Sequence, residues 1–150
     1  MFLKIYLPLK PISVNSMYYG NKKFGKTQAT RDWYQAVFDR IRHQPEDFKR
    51  LREYFNPSKH VYRVYIEVLV PETVFYTKNG SMTNKVVEIS NLEKSIIDTL
   101  LLEKFFSESG NLQSDDRYLQ YMESKKVPTE RYWGINVKIE IVEKPKAEPA

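Results

Sequence analysis

The chain has 150 residues and a formal net charge of +5, and 41% of its residues are hydrophobic and 29% charged. This balance is typical of a globular chain, and the length suits one domain. The sequence has no cysteine, which excludes a disulfide scaffold, thiolate zinc and cysteine catalysis, and no apolar run approaches the roughly 20 residues of a membrane helix.

The first predicted element is a half-buried strand over "FLKIYLPL", because Leu3, Ile5 and Leu7 alternate with more polar residues. A loop follows in "KPISVNSMYYGNKKFGKT", since Pro, Asn and Gly interrupt any regular pattern. Its lysines and aromatic residues can neutralise phosphates and stack on bases. The alternative is a solvated loop whose tyrosines pack on the first strand, and these residues do not decide between the two.

Two helices are predicted next. Thr30 can cap a helix over "RDWYQAVFDRIRHQ", in which Trp33, Val37 and Ile41 fall on one face. Pro45 should end this helix or begin another turn, because "EDFKRLREYF" is again helix-like. Residues 1–60 carry 12 Lys and Arg against 5 Asp and Glu, a basic excess that attracts polyanions or merely aids solubility.

The middle of the chain passes from strand to helix. The stretch "HVYRVYIEVLV" is rich in β-branched and aromatic residues and predicts a second strand. Asn79 and Gly80 then predict a turn or hairpin tip. The stretch "NLEKSIIDTLLLEKFF" predicts a helix, with Leu92, Ile96 and Leu100 along one stripe.

The last elements are two strands, "DRYLQYMESKK" and "YWGINVKIEIV", which "VPTER" is short enough to join as a hairpin. The second alternates strictly at Trp133, Ile135, Val137, Ile139 and Ile141. We therefore predict an α+β fold, with a small, mostly antiparallel sheet of about four strands and two or three helices packed against it. One domain is expected over residues 1–142, with a flexible C-terminal tail at residues 143–150.

Acidic residues mark a candidate metal site. In an extended segment, Glu88 and Ser90 point to the same side, and Asp115 and Asp116 precede the next predicted strand. If these segments pair, their oxygens converge in a donor set that suits magnesium or manganese. Such an ion can activate water and stabilise phosphodiester displacement.

The same residues have a purely structural interpretation. The run Ser90-Asn91-Leu92-Glu93 fits a capping box, in which Ser90 and Glu93 satisfy each other's backbone N–H groups. An Asp-Asp pair before a strand is commonly a turn, and Lys94 with Asp98 can form a surface ion pair. No nucleophile elbow and no Gly-rich phosphate loop is present.

Taken in order, these segments resemble the RusA family of Holliday junction resolvases, from about Leu3 to Val142. The family's P-x-S-x-N-x-x-Y type loop is matched by Pro11, Ser13, Asn15 and Tyr18. Its D-x-D-N-x-x-K signature corresponds to "EISNLEK", residues 88–94, and its D-x-L to "DTL", residues 98–100. Its D-D pair before a strand corresponds to residues 115–116, and its closing hairpin to the two last strands.

The resemblance implies a homodimeric, magnesium-dependent endonuclease that nicks four-way DNA junctions. Glu88 and Asp116 take the positions of metal-binding carboxylates, Asp115 is their neighbour, and Lys94 stands at the family's catalytic lysine. Glu88 replaces the family's first aspartate, and Ser90 replaces its second. The residues expected to contact DNA are Asn15, Tyr18, Lys22, Lys23 and Lys26.

Two other functions stay open. One is a DNA-junction-binding protein with the same fold and a weakened or inactive site, which the residues at positions 88 and 90 motivate. The other is a structural or interaction protein without a nucleic-acid role. For the nuclease we expect Mg²⁺ as cofactor, with Mn²⁺ as the alternative, a place in the cytoplasm of a bacterial or phage-infected cell, and no membrane partner.

Overall fold

The fold combines four strands with three helices in the residues described by the computed structural model, which are 1–12, 28–82, Leu92, Ile96 and 118–147. In chain order the elements are β1 (Phe2–Leu7), α1 (Gln28–Ile41), α2 (Pro45–Tyr54), β2 (His60–Pro71), α3 (Glu72–Phe75), β3 (Leu119–Thr129) and β4 (Gly134–Glu143). The predicted α+β class and single mostly antiparallel sheet are confirmed.

The sheet has the strand order β1-β4-β2-β3. Strand β4 pairs antiparallel with both β1 and β2, whereas β3 forms an edge among the described strands and pairs in parallel with β2. The predicted hairpin between the last two strands is therefore wrong, because β2 lies between them. Neighbouring strands are about 4.8 Å apart. The link from Thr129 to Gly134 therefore has to span only about two strand spacings to pass the end of β2, and it is long enough to do so.

Strand β3 also runs further than predicted. Val127, Pro128 and Thr129, assigned to the connecting loop from the sequence, belong to the strand and pair with the end of β2. Proline lacks the N–H that a central strand would need, but an edge strand tolerates it. The mixed polar and apolar sequence of β3 is likewise typical of an edge.

One hydrophobic core lies between the helices and one face of the sheet. Leu3, Ile5 and Leu7 are buried on β1, as the alternation predicts. On β4 the predicted set from Ile135 to Ile141 is buried in the same way, with Trp133 partly buried against the core. Each pair of buried β1 and β4 residues faces the same side because paired strand residues share a face.

Helix α1 contributes Trp33, Val37 and Ile41 to this core, so the predicted apolar stripe is confirmed. The predicted cap is wrong, because the helix begins at Gln28 and Thr30 lies inside it, fully buried. Thr30 is seven residues before Val37, which places it on the stripe that faces the core. The next helix begins at Pro45, as one of the two alternatives predicted.

None of the helices in the described ranges is both long enough and apolar enough to cross a membrane.

The predicted turn at Asn79 and Gly80 is confirmed. Gly80 has a φ of +81°, its N–H donates to the Thr77 carbonyl, and the Thr77 N–H donates to the Ser81 carbonyl at 2.7 Å. Glycine suits this position because other residues rarely adopt positive φ.

Tyr62 is buried in the core, with its ring stacked on Phe55 at a centroid distance of 4.5 Å. Burial raises the pKa of Tyr62 above its ordinary value of 10.0, and the neighbouring Tyr118 raises it further. An unfolded tyrosine therefore releases its proton at a lower pH than folded Tyr62 does. The free energy of unfolding must fall as the pH rises above 10 towards the raised pKa.

Tyr62→Phe should remove this part of the alkaline destabilisation, which reaches at most about 1.4 kcal/mol per pH unit for one group. The measurement is urea unfolding at about pH 8 and about pH 11 for the parent and the variant. Tyr132→Phe, at an exposed tyrosine, is the matched control. An equal loss of stability in the parent and Tyr62→Phe would contradict the prediction.

Candidate functional site

The residues of the predicted nuclease site lie outside the described part of the chain. This holds for the predicted metal and catalytic positions, which are Glu88, Ser90, Lys94, Asp115 and Asp116. It also holds for the predicted DNA contacts, which are Asn15, Tyr18, Lys22, Lys23 and Lys26. Their roles stay predictions, and the structure bears on them through the described residues nearest to them in the sequence.

Two described residues lie within the predicted helix of residues 91–106, which follows Glu88 and Ser90 in the sequence. Leu92 and Ile96 are helical, and both side chains are buried in the core, with 3% and 0% of their surface exposed. This confirms the first two positions of the predicted stripe, while Leu100 lies outside the described residues. Their spacing of four residues places both on one face of a helix, so this face packs on the core.

The chain reaches the same core again just after Asp115 and Asp116. Tyr118, two residues after Asp116 in the sequence, is partly buried against the same cluster. Its ring meets Phe55 edge to face at a centroid distance of 5.6 Å. Leu119 begins β3 and pairs with Tyr62. The segment between residues 92 and 118 is thus attached at both ends to one hydrophobic cluster.

The donor set predicted for a metal ion is chemically suitable for magnesium, because carboxylate oxygens are the ligands that this hard cation prefers. Within residues 1–12, 28–82 and 118–147, no three His, Asp or Glu side chains cluster in a way that could hold a metal ion. The predicted ligands Glu88, Asp115 and Asp116 are not among those residues.

The described residues form a different candidate site, on the face of the sheet that points away from the core. Strand pairing aligns its side chains in three rows that cross all four strands. The rows are Phe2–Glu140–Arg63–Tyr121, Lys4–Lys138–Tyr65–Glu123, and Tyr6–Asn136–Glu67–Lys125. We call these twelve residues the open sheet face.

Aromatic side chains are exposed on the open sheet face. Phe2 is 56% exposed, Tyr121 47% and Tyr6 38%. Tyr65 is partly buried, and its ring lies 5.8 Å from that of Tyr121. Large aromatic rings on one strand face usually serve a packing or binding role, since leaving them in water forgoes the free energy of burial.

A cleft of about 820 Å³ runs along the second and third rows. Arg40 and Gln44 line it beside β1. The Arg40 Nε donates to the Tyr6 carbonyl at 3.0 Å, and the Gln44 Nε2 donates to the Lys4 carbonyl at 3.3 Å. These bonds occupy backbone carbonyls on the outer edge of the sheet and fix the guanidinium at the side of the cleft.

The carboxylates of the open sheet face are already engaged. Glu140 lies 3.9 Å from the Arg63 guanidinium, and Glu67 lies 3.4 Å from the Lys125 ammonium. The Asn136 amide also donates to Glu67, at 3.1 Å.

Glu123 accepts a hydrogen bond from the Tyr121 hydroxyl at 3.2 Å. This bond raises the pKa of Tyr121, and the charge of the carboxylate raises it further. Each glutamate on the face thus has a partner on a neighbouring strand or in its own strand.

Lys4 and Lys138, the two lysines of the middle row, instead lie over aromatic rings. The Lys138 Nζ is 5.1 Å from the Phe2 centroid and 5.6 Å from that of Tyr65. The Lys4 Nζ is 5.8 Å from the Phe2 centroid. Such distances allow cation–π attraction. No described carboxylate forms a salt bridge with either lysine.

The open sheet face is not among the features predicted from the sequence, although part of its signal is visible there. The residues between the buried positions of β2 are Arg63, Tyr65 and Glu67, and their two-residue period is as regular as that of the core. Which residues lie beside them depends on strand order, and the predicted hairpin placed β3 next to β4 instead of next to β2.

Comparison with known proteins leaves the family open. No family model matches the chain, and no curated protein matches its sequence at a significant level.

Proposed function

We propose that the protein is a magnesium-dependent, structure-specific endodeoxyribonuclease that resolves four-way DNA junctions by paired nicks, in recombination and repair. The sequence support is the order and spacing of the segments that resemble the RusA family. The structural observation that supports the proposal is that Leu92 and Ile96 are helical and buried, because the resemblance places a helix directly after the acidic residues of the family motif.

In this proposal Glu88 and Asp116 provide carboxylate ligands, Asp115 assists them, and Ser90 contributes its hydroxyl directly or through water. When bound, Mg²⁺ supplies charge stabilisation and a more acidic water molecule. Lys94 places an ammonium group near the charge that develops on the phosphate or the leaving oxygen. The protein's own task is to hold these groups in position, which the buried helix face favours.

DNA binding is assigned to the basic loop of residues 10–27, through Asn15, Tyr18 and the lysines at positions 22, 23 and 26. Lysine contacts to phosphate give affinity without reading sequence. A twofold homodimer would present two identical sites to a four-way junction, which needs nicks at symmetry-related positions. We place the reaction in the cytoplasm of a bacterial or phage-infected cell.

The deciding experiment uses a labelled synthetic four-way junction and a linear duplex of the same sequence, with and without magnesium or manganese. Paired symmetric nicks in the junction alone would support the resolvase. A junction that is shifted in a gel but stays intact would support the alternative, a binding protein with a weakened site. A junction neither bound nor cut would contradict both.

Ser90→Asp should lower the magnesium concentration needed for half-maximal nicking, or produce nicking in an inactive parent. The reason is that aspartate restores a charged oxygen ligand where the family has one, and it is also a good N-cap residue. The measurement is the rate of junction nicking against magnesium concentration.

Ser90→Ala is the control, because it removes the hydroxyl without adding a ligand. If Ser90 caps the helix, this change should cost about 1 kcal/mol of stability, together with some activity. Reduced nicking by Ser90→Asp with an unchanged melting temperature would mean that position 90 is not a ligand position.

A further inference from the structure

We propose that the open sheet face binds single-stranded nucleic acid, with bases stacked on its exposed rings and phosphates held by its lysines. This inference is independent of the nuclease proposal, since it involves none of the residues assigned to nicking or to junction binding. It comes from the strand register, the exposure of the rings and the pairing of the charges.

The rings form a platform of suitable size. Phe2 and Tyr121 lie in the same row on opposite edges of the sheet, three strand spacings or roughly 14 Å apart. Tyr65 lies in the next row, and Tyr6 lies at the β1 edge of the third row. Exposed aromatic residues on a four-stranded sheet can stack two or three unpaired bases, and each base offers a flat face regardless of its identity.

The charges favour a polyanion. The glutamates of the face are engaged by Arg63, Lys125 and the Tyr121 hydroxyl. Lys4 and Lys138 are register partners in the middle row of the platform, and no described carboxylate forms a salt bridge with either. Their ammonium groups lie near the rings on which bases would stack, so one strand could reach both at once.

The cleft adds a third cation at its side. Arg40 lines it, and its Nε is held by the Tyr6 carbonyl. A guanidinium retains other N–H donors when one is engaged, and these can meet a phosphate. A cleft of about 820 Å³ is within the size range of sites that enclose small ligands, which is enough for part of a nucleotide chain.

Two other occupants fit the face less well. A DNA duplex keeps its bases stacked inside, so the exposed rings would find no partner. A second copy of the chain would bury seven charged residues among twelve, whereas the core of a homodimer interface is usually apolar. Unpaired nucleotides satisfy both the rings and the lysines.

The test is fluorescence anisotropy in EDTA, with labelled oligodeoxyuridine and oligouridine of about 12 nucleotides, within the site sizes of sheet-based binders. A duplex of the same length is the comparison. We expect the parent to bind the single strands more tightly than the duplex. Preference for one of the two oligonucleotides would identify the sugar.

Three double variants test the two parts of the platform, one of them a conservative control that keeps both rings. Phe2→Ala with Tyr121→Ala should weaken binding by at least about tenfold, because stacking is lost, whereas Phe2→Tyr with Tyr121→Phe should retain it. Lys4→Gln with Lys138→Gln should weaken binding and flatten the log–log salt dependence by about 1.4, for two lost phosphate contacts.

The matched controls lie on α2, which packs against the opposite face of the sheet. Tyr54→Leu and Lys49→Gln remove an exposed ring and an exposed lysine there and should leave binding unchanged. The proposal is overturned if these controls weaken binding as much as the face variants, if the face variants bind normally, or if the duplex binds as tightly as the single strands. Sedimentation in which the face variants separate a dimer, with oligonucleotide binding intact, would assign the face to a second copy.

Discussion

Asp116→Asn is expected to slow junction nicking by at least about 100-fold while leaving junction binding nearly intact. A metal centre contributes several kcal/mol to the stabilisation of the transition state, and each 1.36 kcal/mol is a factor of ten in rate. Replacing the carboxylate by an amide would remove a charge that we propose holds the cation. The phosphate contacts proposed for the basic loop do not depend on that charge, so affinity should persist.

The measurement is single-turnover nicking of a labelled four-way junction, with binding followed in parallel in calcium or EDTA. Asp39→Asn, at an exposed carboxylate on α1, is the control for the loss of one negative charge and should nick normally. Full activity of Asp116→Asn would remove position 116 from the site. Loss of binding together with nicking would assign it to DNA contact or to folding.

Ile96→Ala should cost about 2–5 kcal/mol of unfolding free energy, because the side chain is fully buried and its removal leaves a cavity. The expected cost is comparable to that of Ile139→Ala, at a fully buried position of the central sheet. Met82→Ala, at a side chain that is 59% exposed, should change stability by less than about 0.5 kcal/mol.

Chemical denaturation of the three variants provides the comparison, with two-state behaviour checked by two probes. If Ile96→Ala lowers the free energy of unfolding as little as Met82→Ala does, the helix around Leu92 and Ile96 does not unfold cooperatively with the core. The resolvase proposal would then lose the structural observation that supports it. A loss of unfolding free energy near that of Ile139→Ala would mean that the helix around Leu92 and Ile96 unfolds together with the sheet.

The fold class was predictable because its signals are local. Alternation on β1 and β4 and the stripe of Trp33, Val37 and Ile41 each depend on neighbouring residues, and each is confirmed. The start of α1 was misplaced because Thr30 suits a cap by residue type, whereas its seven-residue spacing from Val37 places it on the buried stripe. The four-residue helix α3 has too short a sequence to show any helical period.

Strand order was not predictable from the same signals. The loop "VPTER" has the length of a hairpin connection, and length alone cannot distinguish a turn back from a step over one strand. The long β2 strand supplies the better partner for β4, with ten paired positions from His60↔Glu143 to Leu69↔Gly134. That single error also concealed the open sheet face, because its rows exist only in the correct order.

For the candidate nuclease site, the sequence predicted the residues by their order, and the structure adds the burial of the helix at Leu92 and Ile96. The proposed convergence of Glu88 with Asp115 and Asp116 would depend on long-range pairing, which no local sequence pattern encodes. The charge pairing on the open sheet face is of the same kind, since Arg63 and Glu140 are far apart in the chain and adjacent in the sheet.

The position of β4 has a consequence for how the protein acquires its shape during synthesis. This strand follows the other three in the chain, yet it lies second in the sheet and joins β1 to the rest. While the ribosome still holds residues 134–143, β1 has no partner among the described strands, and of these β2 can pair only with β3, in a parallel arrangement that forms slowly. A nascent chain therefore exposes the unpaired edges of β1 and β2 until translation passes β4, and chaperone capture or aggregation should be concentrated in that interval.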